Sequence, residues 1–411
     1  METRKMVDHP ANRIHTAMNG NRNLHLRRLS SSRSKNVAAD PDTESNTRLR
    51  STKERPSAKQ KKDRRRAQAR RRWKIPLALV FFVLLFYGLN PSESNTVYPL
   101  IFLSYKTSSG RDEYGKGLRD LAFVGFYTVV LFFAREFFMQ EVFRPLVASR
   151  GSSTQARFAE QAYVALYTGL LAGPLGLFVM AGAPATTTSS SFITTSTTVL
   201  WHFDTASMYA AYPHQTLSML AKAYYLLQAA FWAQQVLVMA LGLERRRKDF
   251  RELVLHHVVT VVLIALSYRF HFTVMGVVVF VTHDISDFFL AMVKALNYID
   301  NPLQGPCYAL CIAFWVYLRH YVNLKILLSI LTEYHIIGPY VLDWDAGLYK
   351  CGIARVITFS LLAALQALNL FWLYCLLRNG YRFVVLGVAK DDREEEEDKE
   401  GRGMEDAKRD S

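Results

Sequence analysis

From Ile75 onward the chain carries eight apolar segments, and their length constrains the fold more than any other feature. They span approximately 75–89, 119–138, 161–182, 221–243, 252–270, 273–293, 308–330 and 354–377. A helix needs about 20 apolar residues to cross the hydrocarbon core of a bilayer. In that core every backbone polar group must be satisfied within its own segment. The segments therefore predict an all-α, polytopic membrane bundle of about eight transmembrane helices. The first segment is short, and the third contains Gly173 and Pro174, a pair that predicts a kink.

Charge orients the bundle. The formal net charge is +15. Residues 1–74 carry 22 Lys/Arg against 7 Asp/Glu, so the remaining 337 residues balance at 28 against 28. The basicity belongs to the N-terminal tail, which is polar and nearly free of aromatics, and so reads as disordered. No apolar stretch near Met1 suggests a secretory signal. KQKKDRRRAQARRRWK (Lys59–Lys74) abuts the first apolar segment and reads as a cytoplasmic anchor beside anionic lipid rather than a nucleic-acid patch. With a cytoplasmic N-terminus, ERRRKDFRE (Glu244–Glu252) falls on the cytoplasmic side, as positive charge requires. The loop TTTSSSFITTSTT (Thr186–Thr198), with no Lys or Arg, falls on the other side. The acidic tail around KDDREEEEDKE (Lys390–Glu400) returns to the cytoplasm. The expected organisation is a basic tail over 1–74, two helices and a linker over 75–158, a helical bundle over 159–385, and an acidic tail over 386–411. Four cysteines, Cys307, Cys311, Cys351 and Cys375, have neither a disulfide pattern nor metal-ligand spacing.

Ionisable residues inside such segments are costly and mark function by default. HHVVTVVLIALSY (His256–Tyr268) and THDISDFFL (Thr282–Leu290) contain five of them. The fifth and sixth segments join near His271–Thr273. His256 lies about 15 residues before that turn and Asp287 about 15 after it, so both sit roughly 23 Å from it. Helical periodicity places His256, Thr260, Ser267 and His271 on one stripe. His283, Asp287, Lys294 and Asn297 form a second, flanked by Asp284. Two polar stripes on adjacent antiparallel helices are expected to face a common cavity. His257 lies about 100° round from His256.

Three chemistries suit this set. A mononuclear metal on His, His and Asp is one. The clustered histidine boxes of membrane di-iron enzymes are missing among the eleven histidines. Acid–base or nucleophilic catalysis by a histidine beside a carboxylate is the second. Structural His–Asp pairing between two helices is the third.

The residues also carry a family resemblance. His256, His257, Thr260, Leu263, Ile264, Ser267 and Tyr268 are followed by His283, Asp284, Ser286, Asp287 and Leu290, then Lys294, Asn297 and Tyr298. This pattern resembles the signature of ceramide synthases, the longevity-assurance branch of the TLC-domain membrane proteins. LWHFDTASMYAAYP (Leu200–Pro213), KAYYLLQAAFWAQQ (Lys222–Gln235) and FHFTVMG (Phe270–Gly276) are similar to the fungal members. Ala291 stands where many animal members have Glu, and no homeobox-like insert is present. The resemblance covers roughly 160–380.

It implies an endoplasmic-reticulum enzyme that transfers a fatty acyl group from acyl-CoA to the amine of a sphingoid base, with no bound cofactor or metal. It implies His256, His257, His283, Asp284 and Asp287 as the catalytic set, His257 because the family pairs the histidines. The stripe itself places His256 opposite Asp287, which makes His256 the expected reactive residue. The aspartates would orient it or pair with the substrate ammonium, and His283 would help proton transfer. Arg245, Arg246, Arg247 and Lys248 would attract the CoA phosphates. A small single-span accessory subunit and a second copy of the chain are candidate partners; nucleic acid is not. The alternative is a non-catalytic TLC-type protein that binds or moves lipid.

Overall fold

The structure, a computed structural model, describes residues 72–107, 112–181, 205–210, 212–244 and 248–386. The N-terminal tail to Arg71, the Thr/Ser-rich loop, Arg245–Arg247 and the acidic tail lie outside the described residues, and with them the expectations placed there. Helices occur at each of the eight apolar segments. We label them α1 (Lys74–Leu89), α2 (Arg119–Leu146), α3 (Ser152–Met180), α4 (Met219–Ala240), α5 (Phe250–Arg269), α6 (Thr273–Tyr298), α7 (Gln304–Thr332) and α8 (Gly352–Leu386). Five of them, α2, α3, α5, α6 and α8, are long and apolar enough to cross a membrane by length and composition, and α1 is a shorter apolar helix. The expected boundary between residues 158 and 159 falls inside α3. The polar run Ser152–Gln155 is its first turn rather than a linker.

Burial is arranged for lipid. Large apolar side chains point outward along the helices, among them Phe81, Phe82 and Phe86 on α1 and Leu255, Val258 and Val261 on α5. A water-soluble domain does not expose such contiguous surface. The inside is mixed, with buried Lys222, Gln228, Arg319 and Asn369 beside the apolar core. The most buried of the five is α6, at 61% of its apolar window against 22% for α5. It packs on α3, α5 and α7, while α4 packs on α2 and α5 on α8.

Three helices pass through a π-helical segment. Phe138–Phe143 in α2 and Tyr167–Ala172 in α3 each precede a proline, Pro145 and Pro174. Proline lacks an N–H and clashes with the carbonyl four residues back. A local i→i+5 register relieves both faults. The kink expected at Gly173–Pro174 is thus a register shift one turn earlier. The third π segment, Trp315–Val322 in α7, has no proline after it and instead carries Arg319.

The turn from α5 to α6 is short. His271 adopts φ 66°, and the Phe272 amide donates to the Ser267 carbonyl. Two small antiparallel strand pairs lie at this end of the bundle. Glu113–Tyr114 (β1) pairs with Leu217–Ser218 (β2), and Leu342–Asp343 (β3) pairs with Leu348–Tyr349 (β4) across a turn closed by Gly347 at φ 69°. Beside them an ion pair between Lys222 and Asp120, at 2.7 Å, is fully enclosed. The Lys222 Nζ also donates to the carbonyls of Ser104 and Gly115, at 2.9 and 2.7 Å, so the buried charge is met on several sides.

Close helix contact at Gly176 positions the site. A Cβ there would stand 2.6 Å from the Tyr224 hydroxyl and 2.7 Å from Val281 Cγ2. Gly176→Ala is therefore expected to cost about 1–3 kcal/mol by overpacking. It should also push Tyr224 off Asp284, which a thermal melt and an activity assay on the same sample would show together. A melt unchanged from the parent would mean that α3 does not set this spacing.

Candidate active site

A cavity of about 290 Å³ runs between α5, α6 and α8, with Tyr225 and Trp232 of α4 on its wall. From α5 it is lined by His256, Thr260, Leu263, Ile264 and Ser267, the spacing of a single helical face. The α6 wall includes Met275, Val279, His283 and Asp284, and α8 contributes Ile357, Leu361 and Leu365. Leu342, Trp344 and Tyr349 of the β3–β4 hairpin line the opposite end. The cavity is thus apolar along most of its length, with ionisable groups gathered at the end nearer the 244–249 loop.

The structure divides the five singled-out residues into three that line the cavity and two that do not. His256, His283 and Asp284 line it. His256 is 6% exposed, with Trp232 and Trp372 edge-on at ring-centroid distances of 5.4 and 5.1 Å. Its Nδ1 is buried without a hydrogen-bond partner. His283 donates from Nδ1 to the Val279 carbonyl at 2.8 Å, which leaves the lone pair on Nε2, also buried and unpartnered. Asp284 is held through Oδ2, which accepts from Gln228 Nε2 and, at 3.3 Å, from the Tyr224 hydroxyl. Gln228 in turn donates to the Tyr224 hydroxyl at 3.0 Å, closing the clamp.

His257 and Asp287 lie elsewhere. His257 donates from Nδ1 to the Leu253 carbonyl at 2.7 Å and sets an edge against Trp232. Asp287 accepts from Arg319 Nη2 at 2.5 Å. The expectation that Asp287 faces His256 does not match this arrangement. The reason is that an arginine buried in an apolar bundle needs a counter-charge, and Asp287 supplies it. The stripe on α5 also ends early: His271 lies in the turn beyond α5, beside Lys116 at 3.3 Å.

Arg319 escaped the sequence reading. Its Nε donates to Ser286 Oγ at 2.6 Å and its Nη1 to Asn369 Oδ1 at 3.2 Å. The guanidinium lies over the Trp315 ring, 4.1 Å from the centroid. The H-D-x-S-D stretch therefore has two halves. His283 and Asp284 face the cavity, whereas Ser286 and Asp287 grip an arginine from α7. The signal was present, since Arg319 is a charged residue inside the seventh apolar segment. Gln228 and Tyr224 were missed for another reason: neutral polar residues on a helix announce no partner.

Of the basic loop, Lys248 is described and exposed, while Arg245, Arg246 and Arg247 lie outside the described residues. Among the described residues no group of three or more His, Cys, Asp or Glu is placed to hold a metal ion, and none of Cys307, Cys311, Cys351 and Cys375 forms a disulfide. Beyond the opposite end of the cavity, Lys116 is lowered to about 7, first by burial and then by the charge of Lys222. His271 and His214 are each lowered to about 4, chiefly by burial.

Residues 157–378 match the family model described as the TLC domain. A sphingosine N-acyltransferase-like protein of Gibberella moniliformis is 49% identical over 331 residues, covering 78% of this chain and 81% of that one. A ceramide synthase of Saccharomyces cerevisiae is 42% identical over 344 residues, covering 82% and 80%. A sphingosine N-acyltransferase of Schizosaccharomyces pombe is 40% identical over 332 residues, covering 80% and 82%. A helical membrane bundle with histidines and a carboxylate at one end of a lipid-shaped cavity defines the class. The chain belongs to the TLC-domain family, in its fungal ceramide synthase branch.

Proposed function

We propose that this chain is a ceramide synthase, transferring a fatty acyl group from acyl-CoA to the amine of a sphingoid base. The observation that carries this reading is the cavity itself. It is an apolar channel for an acyl chain, closed at one end by His256, His283 and Asp284. The names of the fungal relatives support it.

The chemistry follows from the groups present. The amine arrives as an ammonium ion, and Asp284, its carboxylate held by Gln228 and Tyr224, provides a counter-charge in the cavity wall. Histidine lone pairs take the proton: Nε2 of His283 is fixed for this by the Val279 carbonyl. His256, with its unpartnered Nδ1, serves as the base or as the nucleophile through an acyl-imidazole. The amine nitrogen bonds to the carbonyl carbon, the C–S bond breaks, and the abstracted proton passes to the departing CoA thiolate. His257 and Asp287 support this from outside the cavity, the first beside Trp232 and the second through Arg319.

The same reading sets the surroundings. The polar coenzyme stays at the 244–249 end, where Arg245, Arg246, Arg247 and Lys248 attract its phosphates. This end faces the cytoplasm, with both termini, and the membrane is that of the endoplasmic reticulum. A single-span accessory subunit and a second copy remain the proposed protein partners. Purified chain given sphinganine and acyl-CoAs of about 16 to 26 carbons, a range chosen on the scale of a bilayer, should yield dihydroceramide by mass spectrometry. A folded chain that makes none, alone and beside an accessory subunit, would favour the lipid-binding alternative.

A further inference from the structure

Four residues that line the cavity carry a buried polar atom with no hydrogen-bond partner: Trp232 Nε1, His256 Nδ1, Thr260 Oγ1 and His283 Nε2. The two histidine nitrogens belong to the chemistry already assigned. Trp232 and Thr260 do not, and both are unusual.

A hydroxyl on a helix ordinarily bonds the carbonyl three or four residues back. In this bundle Thr128, Thr168, Ser267, Thr282 and Ser286 all do so. Thr260 does not, although it too stands mid-helix. An indole N–H is a donor only, so nothing but an acceptor can satisfy Trp232. Trp232 is 8% exposed, and leaving its N–H unpaired at that depth is costly.

Both side chains stand beside the same reactive group. The Trp232 and His256 rings are 5.4 Å apart, and Thr260 is four residues after His256 on the same face of α5. Residues at that spacing have Cβ atoms about 5–6 Å apart. Thr260 and His283 lie 11 and 12 residues either side of His271, at matching depth on the antiparallel pair α5 and α6. An acyl chain lying in this cavity brings methylenes along its length and one strong acceptor, the carbonyl oxygen, at the end that reaches His256.

We propose that the Trp232 indole N–H and the Thr260 hydroxyl are the donors that hold the acyl carbonyl oxygen and stabilise the negative charge it gains during transfer. This rests on the acyl-transfer reading above. As the nucleophile bonds to the carbonyl carbon, one electron pair of the C=O moves to oxygen, where the two donors meet it. When the pair returns, the C–S bond breaks and CoA leaves as thiolate, with the proton delivered from the amine by histidine. Donors in a water-excluded site favour the charged oxygen over the neutral carbonyl, so they act on turnover more than on binding.

Two uncleavable analogues and turnover test this on the purified full-length chain. In one analogue a methylene replaces the thioester sulfur and the carbonyl is kept; in the other a methylene replaces the carbonyl. Parent protein should bind the ketone roughly tenfold tighter than the thioether, the factor one net hydrogen bond supplies. Thr260→Val and Trp232→Phe should each lose that preference while binding the thioether as the parent does, which reports a folded cavity. Their kcat should fall roughly 10²-fold, a larger change than the rise in KM for acyl-CoA, which is at most about tenfold because the same carbonyl contact is lost. Thr260→Ser should retain both the preference and most of the turnover. A parent without the preference, variants that keep it, or variants that turn over at the parental rate would overturn the proposal. A parent that prefers the ketone yet forms no amide would leave the carbonyl site standing and remove the acyl-transfer reading instead.

Discussion

Arg319→Met is expected to destabilise the protein by about 3–5 kcal/mol, the cost of leaving one member of a buried ion pair uncompensated. Arg319 is 2% exposed and ties α7 to α6 through Asp287 and Ser286, and to α8 through Asn369. Its loss leaves the Asp287 carboxylate without its counter-charge and frees the turn that carries His283 and Asp284. Arg319→Lys keeps the charge and loses the planar fork, so it should fall between parent and Met. The double variant Arg319→Met, Asp287→Leu removes both charges and should regain much of the lost stability. Thermal melts of the four proteins in one detergent test this. A single Arg319→Met variant as stable as the parent would show that the pair does not fasten the helices. If the double variant still forms dihydroceramide, Asp287 acts on structure and not on the substrate.

His256→Ala should lower turnover roughly 10²–10⁴-fold, the range general acid–base catalysis supplies, and more if the residue forms an acyl intermediate. Stability should change much less, because His256 Nδ1 makes no hydrogen bond that the variant would break. The assay is dihydroceramide formation from sphinganine and acyl-CoA, with a melt on the same preparation. The neighbouring His257→Ala has the opposite profile. His257 Nδ1 is bonded to the Leu253 carbonyl, and the residue does not line the cavity, so its loss should touch stability and leave more of the turnover. Equal turnover losses in the two variants would contradict the division of the paired histidines.

Those two variants mark where the sequence was legible. Segment length against the hydrocarbon thickness placed a helix at each of the eight positions, and the 4-7-4 spacing correctly put His256, Thr260 and Ser267 on one face of α5. That wheel works because α5 is regular from Phe250 to Arg269. It failed on α6 for a reason outside α6. Asp287 shares a stripe with His283, yet Arg319 from a helix 32 residues away in sequence draws its carboxylate to α7. A wheel drawn on one helix cannot show a counter-charge on another. The π segments set a separate limit on α2, α3 and α7, since each shifts the register of the residues that follow. Gln228 and Tyr224 were hidden differently: their role exists only once α4 lies against Asp284.

The central claim is that the acyl chain occupies the cavity between α5, α6 and α8. An acyl-CoA carrying a photoreactive diazirine at mid-chain, bound to the purified protein and irradiated, tests it most directly. Peptide mapping should place the label on cavity-wall residues such as Leu263, Val279 and Leu361, and excess unlabelled acyl-CoA should remove it. Label confined to outward-facing residues such as Leu255, Val258 or Val356, unaffected by competitor, would contradict the account.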